Sequence, residues 1–166
     1  MTTLICDSIN PLVAVRSFMQ AGGQKTNVFD AKQANLYTGL QCEELAEKLQ
    51  VIAGGALTSD SRGELLGAID VLNKLSERFK NTQHLGDVLR CNRANLLDAD
   101  IDLAWVSLGA AYSTSSDADG AFAEVSKANH AKFPGGVPLR NAQGKIIKPE
   151  GWRSPDLDRF IETPID

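Results

Sequence analysis

The sequence predicts an all-α bundle of four or five helices, followed by an extended C-terminal arm. Apolar residues recur at three- and four-residue steps, helix-capping residues precede several of these segments, and glycine or proline–glycine runs end them. The 166 residues are 43% apolar, which is enough for one domain with a sizeable core. We expect a single domain over 1–166, with a helical core at about 10–133 and the arm at about 134–166.

The first two helices are indicated by their ends. Asn10 is a favourable N-cap, and Pro11 suits the first helical position because proline has no N–H to leave unpaired there. Gly22-Gly23 ends this helix, whose expected apolar stripe is Leu12, Val15, Phe18 and Met19. A second helix is expected over 31–53, where Gly54-Gly55 stops it.

Three further helices are expected. Ser61 and Glu64 have capping-box spacing at the start of the third helix. The fourth begins at about Leu85 or Asn92 and runs to about Tyr112. N-cap candidates for the fifth are Ser115, Ser116 and Asp117, and Pro134-Gly135-Gly136 closes it. The remaining residues are expected to wrap around the bundle rather than to fold alone.

Composition excludes several classes of protein. A net charge of −4 and a pI near 5.2 argue against a broad nucleic-acid-binding surface. Cys6, Cys42 and Cys91 are odd in number and widely spaced, so we expect buried or neutral thiols rather than a disulfide frame or a zinc site. The absence of a membrane-length apolar run and of a signal segment leads us to expect a cytoplasmic protein without membrane contact.

Two acidic pairs are the candidate metal ligands. Glu44 and Glu47 lie within about 60° on a helix, on the stripe of Tyr37, Leu40 and Val51 that we expect to be buried. Asp98 and Asp102 are about 40° apart and share a face with Ile101 and Trp105. Buried like charges are costly unless a cation joins them, and carboxylate oxygens suit magnesium, with manganese as a substitute. The alternative is that ExxE pairs of this kind lie on a solvated helix edge.

Several fragments, in order, resemble the MazG-like and phosphoribosyl-ATP pyrophosphohydrolase-like all-α NTP pyrophosphohydrolases of the phage type. Glu43 to Glu47, read EELAE, is similar to the family's first acidic motif. The second is commonly ExxD, whereas Asp98 and Asp102 are one residue further apart. The opening VRSFMQAGGQ, the helix VSKANHAKF and the tail GKIIKPEGWRSPDL also resemble these proteins.

The resemblance implies a four- to five-helix bundle that hydrolyses a nucleoside triphosphate to a monophosphate and pyrophosphate, usually as a homodimer or homotetramer. It implies magnesium held by Glu44, Glu47, Asp98 and Asp102, with Glu43 or Glu47 as the general base. Some phage relatives act on dGTP or GTP, so a (d)GTP preference, and the host cytoplasm, are the first expectations. Broad dNTP cleanup, a pyrimidine substrate or a phosphoribosyl-ATP-like substrate are the alternatives within the family.

The candidate substrate-binding residues are Asn129, Lys132, Lys145, Lys148 and Trp152. The lysines could meet the phosphates, although ordinary surface charge is the alternative. Asn129 could instead make a helix-capping or interhelical hydrogen bond, and Trp152 could stack on a base or clamp the arm to the bundle. We expect His84 and His130 to be surface residues. A non-catalytic helical bundle and a nucleotide- or metal-binding regulator are the competing functional classes.

Overall fold

The all-α class predicted from the sequence is confirmed. A computed structural model describes residues 9–55, 57–81, 93–140 and 146–161. Its helices are α1 (Pro11–Ala21), α2 (Ala31–Ala53), α3 (Ser59–Lys80), α4 (Arg93–Thr114) and α5 (Ala118–His130), with 3₁₀ turns at Pro134–Gly136 and Asp158–Phe160. One isolated antiparallel bridge joins Arg140 to Ile146. The predicted fourth-helix starts at Leu85 or Asn92, and also His84, Cys6, Cys91 and Lys145, lie outside the described residues.

The helix starts follow from short polar side chains. Asn10 Oδ1 accepts hydrogen bonds from the backbone N–H groups of Leu12 and Val13, at 3.0 and 3.4 Å. Asp117 Oδ1 does the same for Gly120, at 2.8 Å. The predicted cap Asn10 is therefore confirmed, and Asp117 is the N-cap among the three candidates for the fifth helix. The predicted start of α3 is wrong by one turn, because Thr58 rather than Ser61 is its N-cap.

The described residues divide into two compact units, one from 9–28 and 99–161 and the other from 29–98. In the second unit, α2 and α3 pack along their lengths around buried Ala46, Ala53 and Ile69, with Leu49, Leu65 and Leu72 against them. Burial raises the pKa of the Cys42 thiol, in agreement with the expected neutral cysteine.

The expected buried face of α2 is wrong. The residues of α2 that are buried are Asn35, Gly39, Ala46 and Ala53, at spacings that place them on one stripe. Glu44, Glu47 and Val51 lie well away from this stripe and are exposed, Val51 by 80%. Small residues form the buried stripe because they allow α3 to approach closely, whereas the sequence interpretation followed the larger apolar side chains.

In the first unit, α1 packs against α5. Ala14 is buried, and the Phe18 and Phe133 ring centroids are 4.8 Å apart. Leu12 and Val15 are exposed, so only Phe18 and Met19 of the predicted stripe face inward.

The described part of the arm returns to both helices. Arg140 donates to the Gly22 carbonyl of α1, and Trp152 Nε1 donates to the Ala128 carbonyl of α5 at 2.7 Å. Phe160 is buried, and its carbonyl accepts from the Ser116 N–H just before α5. The arm is therefore held against the first unit at three separate points.

Helix α4 differs from the others because none of its residues is buried. Its exposed large apolar side chains are Leu97, Ile101, Leu103, Trp105, Val106, Leu108 and Tyr112. Within the described ranges, no helix has both the length and the apolar composition that a membrane span requires.

Candidate functional site

The four predicted metal ligands are exposed on two helices. Glu44 and Glu47 lie on α2, and Asp98 and Asp102 lie on α4. In the part of the chain that the structure describes, no three His, Cys, Asp or Glu side chains lie close enough together to hold a metal ion. The magnesium site therefore stays a prediction. The donors themselves are the oxygen ligands that hard cations prefer.

Glu43, one of the two candidate bases, has a clear partner. Lys80 Nζ of α3 lies 2.6 Å from Glu43 Oε2, and the two side chains are 20% and 33% exposed. Glu77 lies 3.8 Å from the same ammonium. This ion pair links α2 to α3, which gives Glu43 a structural role in the packing of the second unit.

The structure brings four of the five predicted substrate-binding residues together. Lys132 Nζ donates to Asn129 Oδ1 at 2.8 Å and lies 5.6 Å from the centroid of the Trp152 ring. Lys148 Nζ lies 4.4 Å from the same centroid. Both distances are within the range of cation–π interaction. Asn129, Lys132, Lys148 and Trp152 therefore form one cluster, which we call the lysine–tryptophan cluster.

Local backbone structure explains how distant residues meet in this cluster. Asn129 is near the end of α5, and Lys132 follows the helix directly. On the arm, the Trp152 N–H donates to the Pro149 carbonyl at 3.1 Å, which closes a β-turn. Gly151 has a φ of 75°, a conformation that favours glycine, so the sequence PEGW is suited to this turn. The turn places Lys148 and Trp152 on either side of a tight reversal.

His130 is not the surface residue that we expected. It is half-buried, its Nδ1 lies 2.8 Å from the Ser126 carbonyl, and its Nε2 lies 3.1 Å from Ser17 Oγ. Because a carbonyl only accepts, Nδ1 carries the proton, and in the neutral ring Nε2 accepts from Ser17. The edge of Phe18 also faces the ring, with centroids 6.0 Å apart. His130 thus joins α1 to α5.

Sequence reasoning missed Lys80, Ser17 and Ser126 as polar partners. Ser126 is four residues before His130, a spacing that places both on one helix face. The Lys80 and Ser17 contacts join residues 37 and 113 positions apart, so no local pattern could indicate them.

Comparison with protein-family models, curated proteins and solved structures gave no match. The assignment to the MazG-like family therefore stays a prediction from the sequence motifs.

Proposed function

We propose that the protein is a magnesium-dependent nucleoside triphosphate diphosphohydrolase, which converts a (d)NTP and water to a (d)NMP and pyrophosphate, with (d)GTP as the first candidate substrate. The observation that carries the proposal is the lysine–tryptophan cluster. Asn129 and Lys132 come from one motif, and Lys148 and Trp152 come from another, yet all four lie together. A cluster of cations beside an amide suits a polyphosphate.

The predicted metal ligands are the second part of the proposal. We assign Glu44, Glu47, Asp98 and Asp102 as ligands of magnesium, for which manganese would substitute. When bound, the metal would neutralise phosphate oxygens and lower the pKa of a coordinated water. Glu47 is the better candidate base, because Lys80 already occupies a Glu43 oxygen and Glu47 is open to solvent.

We further propose that the working protein is a homo-oligomer, with a dimer as the first expectation. Leu97, Ile101, Trp105, Leu108 and Tyr112 fall within about 80° around α4, so they form one continuous apolar stripe. Asp98 and Asp102 follow at the border of this stripe, at about 100° and 140° on the same scale. A second copy covering the stripe would exclude water beside the two aspartates.

The proposal is tested by incubating the protein with each of the eight common dNTPs and NTPs in magnesium and measuring both products. We expect monophosphate and pyrophosphate in equal amounts, with the highest rate for dGTP or GTP. Equal rates across bases would favour a broad cleanup enzyme. Higher rates for pyrimidine triphosphates would favour a pyrimidine-directed enzyme. Release of orthophosphate would show cleavage at another bond and contradict the proposal.

Variants of the acidic residues test whether these residues are needed for turnover. Glu47→Gln and Asp102→Asn should each reduce turnover by about 100-fold or more, because each removes a charged oxygen from the site. Glu64→Gln, an exposed acid on α3, is the matched control and should retain full activity. Tight triphosphate binding without turnover in the unaltered protein would instead identify a non-catalytic nucleotide-binding bundle.

A further inference from the structure

Trp152 stands at the centre of the lysine–tryptophan cluster. The Lys148 ammonium is 4.4 Å from its ring centroid and the Lys132 ammonium is 5.6 Å from it, so the two charges are no further apart than the sum of these distances. The π faces of the indole carry partial negative charge, which attracts both cations. One ring therefore holds two positive charges from different parts of the chain.

The ring itself is fixed by the backbone. Trp152 Nε1 donates to the Ala128 carbonyl at 2.7 Å, and the turn closed at the Pro149 carbonyl holds the residue's own N–H. These two bonds fix the indole to α5 and to the arm. Because the ring is held, the ammonium groups that lie near it are also restrained.

The two ammonium groups repel each other, and a multiply charged anion that contacts both of them lowers that repulsion. A di- or triphosphate is longer and more highly charged than a single phosphate, so it can contact both ammonium groups at once across a larger separation. Asn129 Oδ1 accepts a hydrogen bond from the Lys132 ammonium at 2.8 Å, which ties this lysine to the end of α5. The arrangement is thus matched to a polyphosphate.

Base stacking on Trp152 is less suited to this geometry. A nucleobase stacked on the ring face that Lys148 covers would have to displace its ammonium and lose the cation–π contact. The same displacement would move a positive charge away from the phosphates of the bound nucleotide.

We propose that Trp152 is a positioning residue that holds Lys132 and Lys148 as a clamp for the polyphosphate chain, and that it does not stack on the base. This inference rests on the proposed function for its biological substrate, but the clamp binds inorganic polyphosphate by itself. The two proposals can therefore fail separately.

Fluorescence distinguishes the two roles of the indole. The chain has two tryptophans, so Trp105→Phe leaves Trp152 as the only indole. We expect inorganic pyrophosphate and tripolyphosphate to change its emission saturably, and guanosine, which has no phosphate, to leave it unchanged. A response to guanosine but not to pyrophosphate would establish base stacking and overturn the clamp, as would no response to any of the three. If Trp105→Phe does not fold, the difference in signal between the unaltered protein and Trp152→Phe gives the same comparison.

Charge variants test the clamp directly. Lys132→Met and Lys148→Met should each weaken pyrophosphate binding by roughly 10-fold or more and reduce its dependence on salt. Lys127→Met, an exposed lysine in the last turn of α5, is the matched control and should bind as the unaltered protein does. An equal loss in all three variants would show a diffuse charge effect and overturn the proposal.

The positioning role of Trp152 has its own readout. Trp152→Leu should weaken pyrophosphate binding as strongly as loss of one lysine, and Trp152→Phe should restore part of it, because phenylalanine keeps an aromatic face. Equal affinity of Trp152→Leu and the unaltered protein would show that the ring does not position the lysines. Pyrophosphate binding without triphosphate turnover would preserve the clamp and refute only the hydrolase.

Discussion

The Glu43–Lys80 ion pair is partly buried, so we expect it to contribute more to the free energy of unfolding than a surface pair does. Replacing Lys80 with methionine removes the charge that faces Glu43 but keeps most of the apolar stem. The expected result is a loss of about 1–3 kcal/mol in the free energy of unfolding, since a half-buried carboxylate loses its partner. Urea unfolding measures this difference.

The matched control is Lys74→Met. Lys74 pairs with Asp70, four residues earlier on α3, and both side chains are more than 60% exposed. Solvent and salt screen such a pair, so we expect a change of no more than about 0.5 kcal/mol. If both variants lose equal stability, burial does not increase the contribution of the Glu43–Lys80 pair to the free energy of unfolding.

Tyr112 should titrate above an ordinary tyrosine. Its hydroxyl donates to Asp119 Oδ1 at 2.9 Å, and this hydrogen bond, followed by the negative charge of Asp119, raises the pKa of Tyr112 above 10.0. The contribution of the bond to stability is complete below pH 10 and is lost as the pH rises through the raised pKa. Ultraviolet absorbance of Tyr37→Phe, which leaves Tyr112 as the only tyrosine, measures the midpoint. Asp119→Ala in that background should lower it, and an unchanged midpoint would contradict the assignment.

At the level of single residues, the sequence was informative where the interaction is local. Asn10 was predicted as a cap, and Asp117 was one of three candidates, because the side chain of a cap meets an N–H two or three residues later. His130 was misjudged because its partner Ser17 belongs to another helix. Lys132 and Trp152 were found only through a motif resemblance, and their mutual contact depends on how the arm returns to α5.

The packing of α2 on α3 depends on one glycine. A Cβ at Gly39 would lie 2.9 Å from both the Lys80 Cγ and the Ser76 carbonyl oxygen. The carbonyl belongs to the backbone and cannot move without displacing α3. We expect Gly39→Ala to lower the free energy of unfolding by about 1–3 kcal/mol, despite the better helix propensity of alanine. Thermal and urea unfolding measure the change.

Gly67→Ala is the control for helix propensity. Gly67 lies within α3 and a Cβ there would meet nothing within 4 Å. Alanine should therefore stabilise the protein by about 0.5–1 kcal/mol. Stabilisation by Gly39→Ala as well would show that α2 and α3 do not approach as closely as the 2.9 Å contacts at Gly39 require.

At the level of elements, helix ends were predicted better than helix faces. Gly54 ended α2 where expected, because a glycine pair after a periodic segment is a strong stop signal. The buried face was missed because Gly39, Ala46 and Ala53 carry little hydrophobic signal, although their small size is what lets α3 pack closely. Hydrophobicity and burial diverge wherever two helices approach through small residues.

At the level of the whole molecule, the sequence predicted an all-helical chain with an arm that returns to it, and both are observed. Helical periodicity is a local property, so the class follows without knowledge of the packing. The surroundings of Glu44, Glu47, Asp98 and Asp102 were not predictable in the same way. Periodicity shows that a helix has an apolar face but does not show which segment, or which chain, covers it.

The apolar stripe of α4 gives the clearest prediction about assembly. Trp105, 78% exposed, lies on this stripe with four other large apolar residues, and water-exposed apolar surface of this extent is unfavourable. If a second copy covers it, Trp105→Glu should bury an unpaired charge in the interface and convert the oligomer to monomers. Val71→Glu on α3, which also replaces an exposed apolar residue, is the control and should keep the oligomer intact. Light scattering coupled to size-exclusion chromatography gives the mass of all three proteins. A monomeric mass for the unaltered chain would refute the assembly, and an oligomer that survives Trp105→Glu would place the interface on another face.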